Sequence, residues 1–263
     1  MGLSFSSSSC NPCTSIDEKM NGMIFYPQKS NLNDINRMLR PNDQHIFLPS
    51  TDGVKISVYL SAPIHGVHKY LVWAHGNAMR VEDMISYLQN VQDSLGVGFI
   101  LFDYQGYGCS DGEPSEEKCY DDIEAVMEYA LNDLKIKSDD LYLIGASLGT
   151  GVVIDYAHNH DWKNPLILIS PYKTIVKVVC DSSCVRPIDK FRSEAKLPKL
   201  NCPVRIFHGE QDNLIGIEHG RHLFSTLKDK SLEPIWIPNA DHNNIYRYIE
   251  FDDIREVLNH KIN

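Results

Sequence analysis

Apolar runs of strand length, each closed by turn residues, recur along the chain: YLVWA (70–74), GFILFD (98–103), LYLIG (141–145), PLILIS (165–170), VRIFHG (204–209) and PIWIP (234–238). Unbroken hydrophobicity of this kind marks strands covered on both faces. Ahead of them Val54, Ile56, Val58 and Leu60 alternate with polar or edge residues. Asp52-Gly53 separates that run from HIFLP, a hairpin signal, so the sheet is predicted to open with an antiparallel pair. Ile123, Val126, Met127, Ala130, Leu131 and Leu134 form the stripe of an amphipathic helix. Pro114-Ser115-Glu116-Glu117 offers its start a capping hydroxyl and two carboxylates. A last stripe, Ile254, Val257, Leu258 and Ile262, predicts a C-terminal helix. Strand and helix in alternation predict the α/β class, a mostly parallel sheet with helices on both faces and ligands at the carboxyl ends of its strands. Residues 1–40 carry no sustained periodicity and read as a leader and a loosely packed approach; the folded domain is expected over 41–263, with regular structure from about His45.

Composition narrows the partners. With 43% hydrophobic and 23% charged residues, the 263-residue chain can bury a large core, which excludes disorder, collagen-like repeats and disulfide-stapled miniproteins. A net charge of −10 repels phosphate backbones, so nucleic acid is not an expected partner. Seven scattered cysteines suit a reducing compartment; Cys10-x-x-Cys13 lacks a second Cys or His pair at zinc spacing, and neither metal nor cofactor is expected. The apolar runs are far short of the ~20 residues of a membrane span. The first residues lack the basic start and apolar stretch of a secretory signal but fit M-G-x-x-x-[ST], with Gly2 and Ser6 placed for N-myristoylation. One myristoyl chain binds membrane marginally. Lys19 is the one basic residue among the first 28, so palmitate on Cys10 or Cys13 is the expected second anchor. The chain is therefore expected on the cytoplasmic face of a membrane, held peripherally by lipid.

Gly145-Ala146-Ser147-Leu148-Gly149 closes the run LYLIG and opens a helical stretch, the context in which a G-x-S-x-G string becomes a nucleophile elbow. A serine hydroxyl needs a base, and the base an orienting acid, from later strand-end loops. Asp212 follows VRIF, and His242 follows PIWIPNAD, in the order Ser, Asp, His. His208 precedes the acid, and His158, His160, His219 and His222 fall in predicted helices where they are expected to face solvent. Glu210 and Asp241 compete with Asp212, but Glu210 comes early in its turn and Asp241 adjoins the base, where it would point away. Acyl transfer also needs two N–H groups for the oxyanion. Leu148 supplies one, and Asn77, in the His75-Gly76-Asn77-Ala78 loop after YLVWA, is the choice for the other. His75 is expected to support that loop, and Asp103, before the nucleophile, to tie down its own loop.

Together WAHGNA, FDYQGYGCSDGEPSEEKCYDDIEAV, GASLGTG, CPVRIFHGEQDNLIGIEHG and ADHNNIY resemble the α/β-hydrolase superfamily, and in order and spacing its membrane-anchored α/β-hydrolase-domain-seventeen group, over about residues 45–258. The resemblance implies the α/β-hydrolase fold. It also implies removal of palmitate from cysteine thioesters on membrane-bound proteins, with Ser147, Asp212 and His242 as nucleophile, acid and base and Asn77 and Leu148 at the oxyanion hole. The chain departs from that group in its leader, which has two cysteines and a myristoylation-like start in place of a dense cysteine cluster. Residues 171–203, where such folds insert lids, would form a short cap, leaving the serine approachable by an acyl chain still joined to a bulky carrier. The expected substrate is thus an acylated protein. The alternatives are a lysophospholipid or monoacylglycerol ester and, in a different class, a non-catalytic binding module on the same scaffold. A peptidase would want a large substrate domain, and epoxide hydrolysis or dehalogenation an aspartate at the elbow.

Overall fold

The computed structural model describes residues 12–175, 178 and 189–261, the first six as backbone. Eight strands form one sheet: β1 (Asp43–Pro49), β2 (Lys55–Ser61), β3 (Tyr70–Ala74), β4 (Gly98–Phe102), β5 (Leu141–Ala146), β6 (Leu166–Ile169), β7 (Val204–Gly209) and β8 (Ile235–Ile237), in the order β1-β2-β4-β3-β5-β6-β7-β8. The β1–β2 and β2–β4 pairs are antiparallel and every later pair is parallel, so the predicted opening hairpin and mostly parallel sheet are both present. Gly53, with φ 82°, takes the left-handed position in the β1–β2 turn.

Alternate residues of each central strand feed two apolar layers. Val72, Leu143 and Leu168 pack on one side with Ile123 and Val126 of α4 (Glu116–Glu128) and Val152 and Val153 of α5 (Leu148–Asn159). Leu71, Trp73, Ile144 and Ile167 pack on the other with Met84, Ile85 and Leu88 of α3 (Val81–Leu95) and Ile254 and Val257 of the C-terminal helix Phe251–Leu258. Each such side chain, fully buried, contributes about 1.5–3 kcal/mol. Ser115 caps α4 by accepting from Lys118 N–H at 3.2 Å, as its sequence predicts; Ile262, the last position of the C-terminal stripe, lies outside the described residues.

Regular structure begins earlier than expected. Helix α1 (Pro12–Ile24) and helix α2 (Leu32–Met38), the latter capped by Asn31, precede β1, and Ile24, Phe25 and Ile35 are buried. Their apolar residues are too few per turn for periodicity to disclose them. Of the expected lipidation sites, Gly2 and Cys10 lie outside the described residues and Cys13 falls in the first turn of α1. In the expected cap, the described residues include α6 (Ser193–Lys196) and a 3-10 turn at Leu197–Lys199, with Phe191 buried edge-on against Phe25 and Tyr120. No helix among the described residues is long and apolar enough to cross a membrane.

Candidate active site

The β5–α5 junction is closely packed. A Cβ on Gly149 would stand 2.1 Å from the carbonyl oxygen of Ala74, and one on Gly145 2.5 Å from that of Gly149, so strand β3, strand β5 and helix α5 can meet this closely only with glycine at both positions. Between them Ser147 adopts φ 48° and ψ −116°, a conformation costing a non-glycine residue about 1–3 kcal/mol. Its N–H donates to Ile169 C=O at 2.8 Å, and its own C=O accepts from Thr150 Oγ1 at 2.7 Å and Thr150 N–H at 2.9 Å. These bonds hold the strained residue with its side chain above the sheet.

Asp212 follows β7. Its Oδ1 accepts from the N–H groups of Leu214 (3.0 Å) and Ile215 (2.7 Å), and its Oδ2 accepts from His242 Nδ1 at 2.8 Å. Donation from Nδ1 leaves Nε2 as the acceptor, and Ser147 Oγ lies 3.1 Å from it. Burial alone would raise the Asp212 carboxyl; the hydrogen bond and charge of His242 and the Ile215 N–H outweigh it and hold the group below its ordinary range. His242 sits after β8 in a turn closed by Asp241, whose Oδ1 accepts from Asn243 and Asn244 N–H at 2.9 Å each. Asp241 is therefore occupied by its own turn, and Glu210 pairs at 3.3 Å with Arg221. His208 donates from Nε2 to Ile215 C=O at 2.7 Å, bracing the loop whose N–H groups hold Asp212. The structure thus joins Ser147, His242 and Asp212 in one hydrogen-bonded chain.

Leu148 is the first residue of α5, so its N–H has no acceptor within the helix. The Gly76-Asn77 loop closes on the serine from the other side, near enough that a Cβ on Gly76 would lie 3.4 Å from Ser147 Cβ. That loop turns through Ala78, which has φ 57°, with Met79 N–H bonded to Gly76 C=O at 3.3 Å. His75 is fully buried, donates from Nδ1 to Gly76 C=O at 2.8 Å, and is held near a pKa of about 4 by burial, so it stays neutral. Asp103, also fully buried, accepts from Val81 N–H at the start of α3 (2.8 Å) and from Cys109 N–H (3.4 Å). Both behave as the sequence suggests, as supports of loops.

A cavity of about 380 Å³ opens beside Ser147 and His242. Met79, Met84, Ile169, Ile245 and Tyr246 supply its apolar wall, and Asn77 and Ser170 line it near the serine. Sequence reasoning named none of the apolar set. The i, i+3, i+7 spacing of Val81, Met84 and Leu88 could have disclosed α3, but which of its neighbours faced a cavity depends on the C-terminal loop Asn243–Tyr246, more than 150 residues away along the chain. One expectation is overturned: His219, on the helix Ile217–Thr226, is buried and its Nδ1 accepts from Lys173 N–H at 3.2 Å. Gly220 and Leu223 on the same helix are also buried, so this face turns inward toward β7 instead of to solvent.

Residues 65–193 match the family model of serine aminopeptidase S33. Over 193 residues the chain is 52% identical to protein L404 of Acanthamoeba polyphaga mimivirus, which bears an alpha/beta-hydrolase name, covering 73% of each. It is 32% identical to alpha/beta hydrolase domain-containing protein aho-3 of Caenorhabditis elegans and 30% identical to domain-containing protein 17C of Xenopus laevis. In both cases 73% of this chain is matched, spanning 57% and 62% of the relatives' lengths. Among solved structures, the esterase Pf2001 of Pyrococcus furiosus superposes with a TM-score of 0.70 at 18% identity, covering 89% of this chain and 96% of the esterase. Est1E of Butyrivibrio proteoclasticus, solved with ferulic acid bound, gives 0.63 at 22% identity, over 81% of this chain and 96% of Est1E. At these identities the two structures speak to the fold alone.

Proposed function

The chain belongs to the α/β-hydrolase family, and on that footing we propose that it is a serine hydrolase of fatty-acyl thioesters, with palmitoyl-cysteine on membrane-bound proteins as its substrate. His242 Nε2 takes the Ser147 proton as Oγ attacks the acyl carbonyl, and Asp212 holds the imidazole in the required tautomer and stabilises the imidazolium that forms. The N–H groups of Asn77 and Leu148 receive the oxyanion. Collapse of the tetrahedral adduct breaks the C–S bond, His242 returns its proton to the departing thiolate, and the acyl group stays on Ser147 until water, deprotonated by His242, releases the fatty acid.

The observation that carries the reading is the unbroken chain from Asp212 through His242 to Ser147, at 2.8 Å and 3.1 Å. The strained φ of 48° at Ser147 supports the same reading. The acyl assignment draws on the predominantly apolar cavity of about 380 Å³, within the usual range of ~300–1,000 Å³ for ligand sites, and on the likeness to the domain-seventeen group. Myristate on Gly2 and palmitate on Cys10 or Cys13 would hold the enzyme beside such substrates on the cytoplasmic face of a membrane. The test is hydrolysis by the purified protein of acyl-cysteine peptides of increasing chain length against monoacylglycerols. Faster turnover of the palmitoyl thioester is expected; preference for monoacylglycerol would move the protein to lipid esters, and no turnover of either would favour a binding role.

A further inference from the structure

The segment joining α1 to α2 lies across the loops that flank the serine, and its contacts converge on one side chain. The Asn77 carboxamide donates from Nδ2 to Ile24 C=O, while its Oδ1 accepts from Tyr26 N–H (3.0 Å), Tyr107 Oη (2.6 Å) and Ala78 N–H (3.0 Å). Tyr26 N–H is shared with Tyr107 Oη at 3.2 Å. Further along, Gly108 N–H donates to Gln28 C=O (2.7 Å) and Ser30 N–H to Gly108 C=O (3.1 Å). Lys29 Nζ reaches Ser110 C=O (3.0 Å), and an Arg80 guanidinium N–H reaches Lys29 C=O (3.2 Å). Ile24 and Phe25 are buried, whereas the Tyr26 side chain is 56% exposed.

Two features of this arrangement bear on catalysis. The carboxamide of Asn77 is bonded to the strap at both ends and to Tyr107 at Oδ1, so the residue has little freedom to rotate, and its own N–H is fixed with it. The adjoining turn keeps Ala78 at φ 57°, a conformation a non-glycine residue holds only where its surroundings impose it. Resting on the assignment of Asn77 N–H to the oxyanion hole, we infer that residues 24–30 and Tyr107 are positioning elements of that hole: the strap holds the Gly76–Met79 turn so that Asn77 N–H points where the oxyanion forms. Neither the strap nor the Tyr107 hydroxyl touches the reacting atoms.

Tyr26→Pro deletes the shared N–H donor at a site whose side chain is exposed, and Tyr26→Ala keeps that donor. Tyr107→Phe removes the hydroxyl and preserves the buried ring. Full-length variants are compared for kcat and KM on an acyl ester, for inhibition by a trifluoromethyl ketone that mimics the oxyanion adduct, for amide exchange across residues 75–80, and for thermal midpoint. Tyr26→Pro and Tyr107→Phe are expected to lower kcat about tenfold or more with KM within about twofold, to weaken the ketone by a similar factor, and to speed exchange in the turn, as loss of an oriented oxyanion donor does. Tyr26→Ala separates the main-chain donor from the ring: a loss equal to that of Tyr26→Pro would assign the effect to the ring and overturn the main-chain role of the strap. Unchanged exchange in the turn of both folded variants overturns the inference, as does faster exchange with unchanged kcat and ketone affinity. If Tyr26→Pro does not fold, Tyr107→Phe decides alone. A wild-type protein that neither hydrolyses the ester nor binds the ketone would instead defeat the hydrolase reading, while the exchange data would still report whether the strap holds the turn.

Discussion

Two of the histidine–carboxylate pairs near Ser147, His242–Asp212 and His75–Asp103, differ in ways that separate a proton relay from a support. In the pair His242–Asp212 the nitrogen and oxygen are 2.8 Å apart, the imidazole is partly exposed at the rim of the cavity, and the carboxyl is held below its ordinary range. In the pair His75–Asp103 the separation is 3.7 Å, both side chains are fully buried, and burial drives the imidazole down to about 4 and the carboxyl up to about 6. Burial opposes charge on both partners of the second pair, and the Asp103 oxygens are turned toward Val81 and Cys109 N–H groups. The first pair keeps one imidazole nitrogen free to face the serine hydroxyl. On the proposed function this difference makes His242 the proton carrier and His75 a support, since a carrier needs one ring nitrogen against the reactive group and water near the charge.

The largest effect expected from this contrast is at Asp212. Asp212→Asn should lower kcat by about 10⁴-fold with little loss of stability, because the amide cannot accept from Nδ1–H and so turns the imidazole to the wrong tautomer. Steady-state kinetics on an acyl ester beside a thermal melt checks both halves. Asp103→Ala should do the reverse. It strands the buried Val81 N–H, at about 1–3 kcal/mol, and the part-buried Cys109 N–H, so the melting midpoint should fall by several degrees while the folded enzyme retains turnover within about tenfold. Large loss of kcat at an unchanged midpoint would place Asp103 in the chemistry.

The smallest effect is in the pH dependence of stability. Burial raises Asp103 to about 6 and Asp122 to about 7, above the ~3.9 of an unfolded aspartate. Between those values the folded chain binds more protons than the unfolded one, so the stability these two groups contribute is present below about pH 4 and is lost as pH rises through 6 and 7. Asp212, held low, acts oppositely: its contribution is present above about pH 4 and is lost on further acidification. His75, held at about 4, works in the opposite sense over this range, so the test is a difference: in denaturant titrations from pH 8 to pH 5 the stability of the wild type relative to Asp122→Asn should rise, by up to about 1 kcal/mol per pH unit. An unchanged difference would mean that Asp122 is ionised in its network with Ser50 and Gln105.

How much of this was legible in the chain follows from how local each signal is. The strands were readable because a strand covered on both faces is a short, unbroken apolar run, and the elbow because Gly145 and Gly149 must flank Ser147 in any such turn. The order of Asp212 and His242 after the serine followed from the strand-and-helix architecture, which fixes where the acid and base loops fall. The clamp on Asn77 was not readable: its partners at Ile24, Tyr26 and Tyr107 lie 53, 51 and 30 residues away, and main-chain groups leave no mark on composition. The inward turn of His219 is hidden in the sequence for a related reason. The side chain is polar, and only the packing of its helix against the sheet turns it inward.

The central claim, that Ser147 is a nucleophile activated by His242 and Asp212, is tested most directly by treating the folded protein with a fluorophosphonate and locating the adduct by peptide mass spectrometry. The account predicts a single covalent adduct on Ser147 that forms rapidly in the wild type and at most about a thousandth as fast in His242→Gln or Asp212→Asn. An unlabelled Ser147 in the folded wild type, or labelling at an equal rate in the two variants, would contradict it.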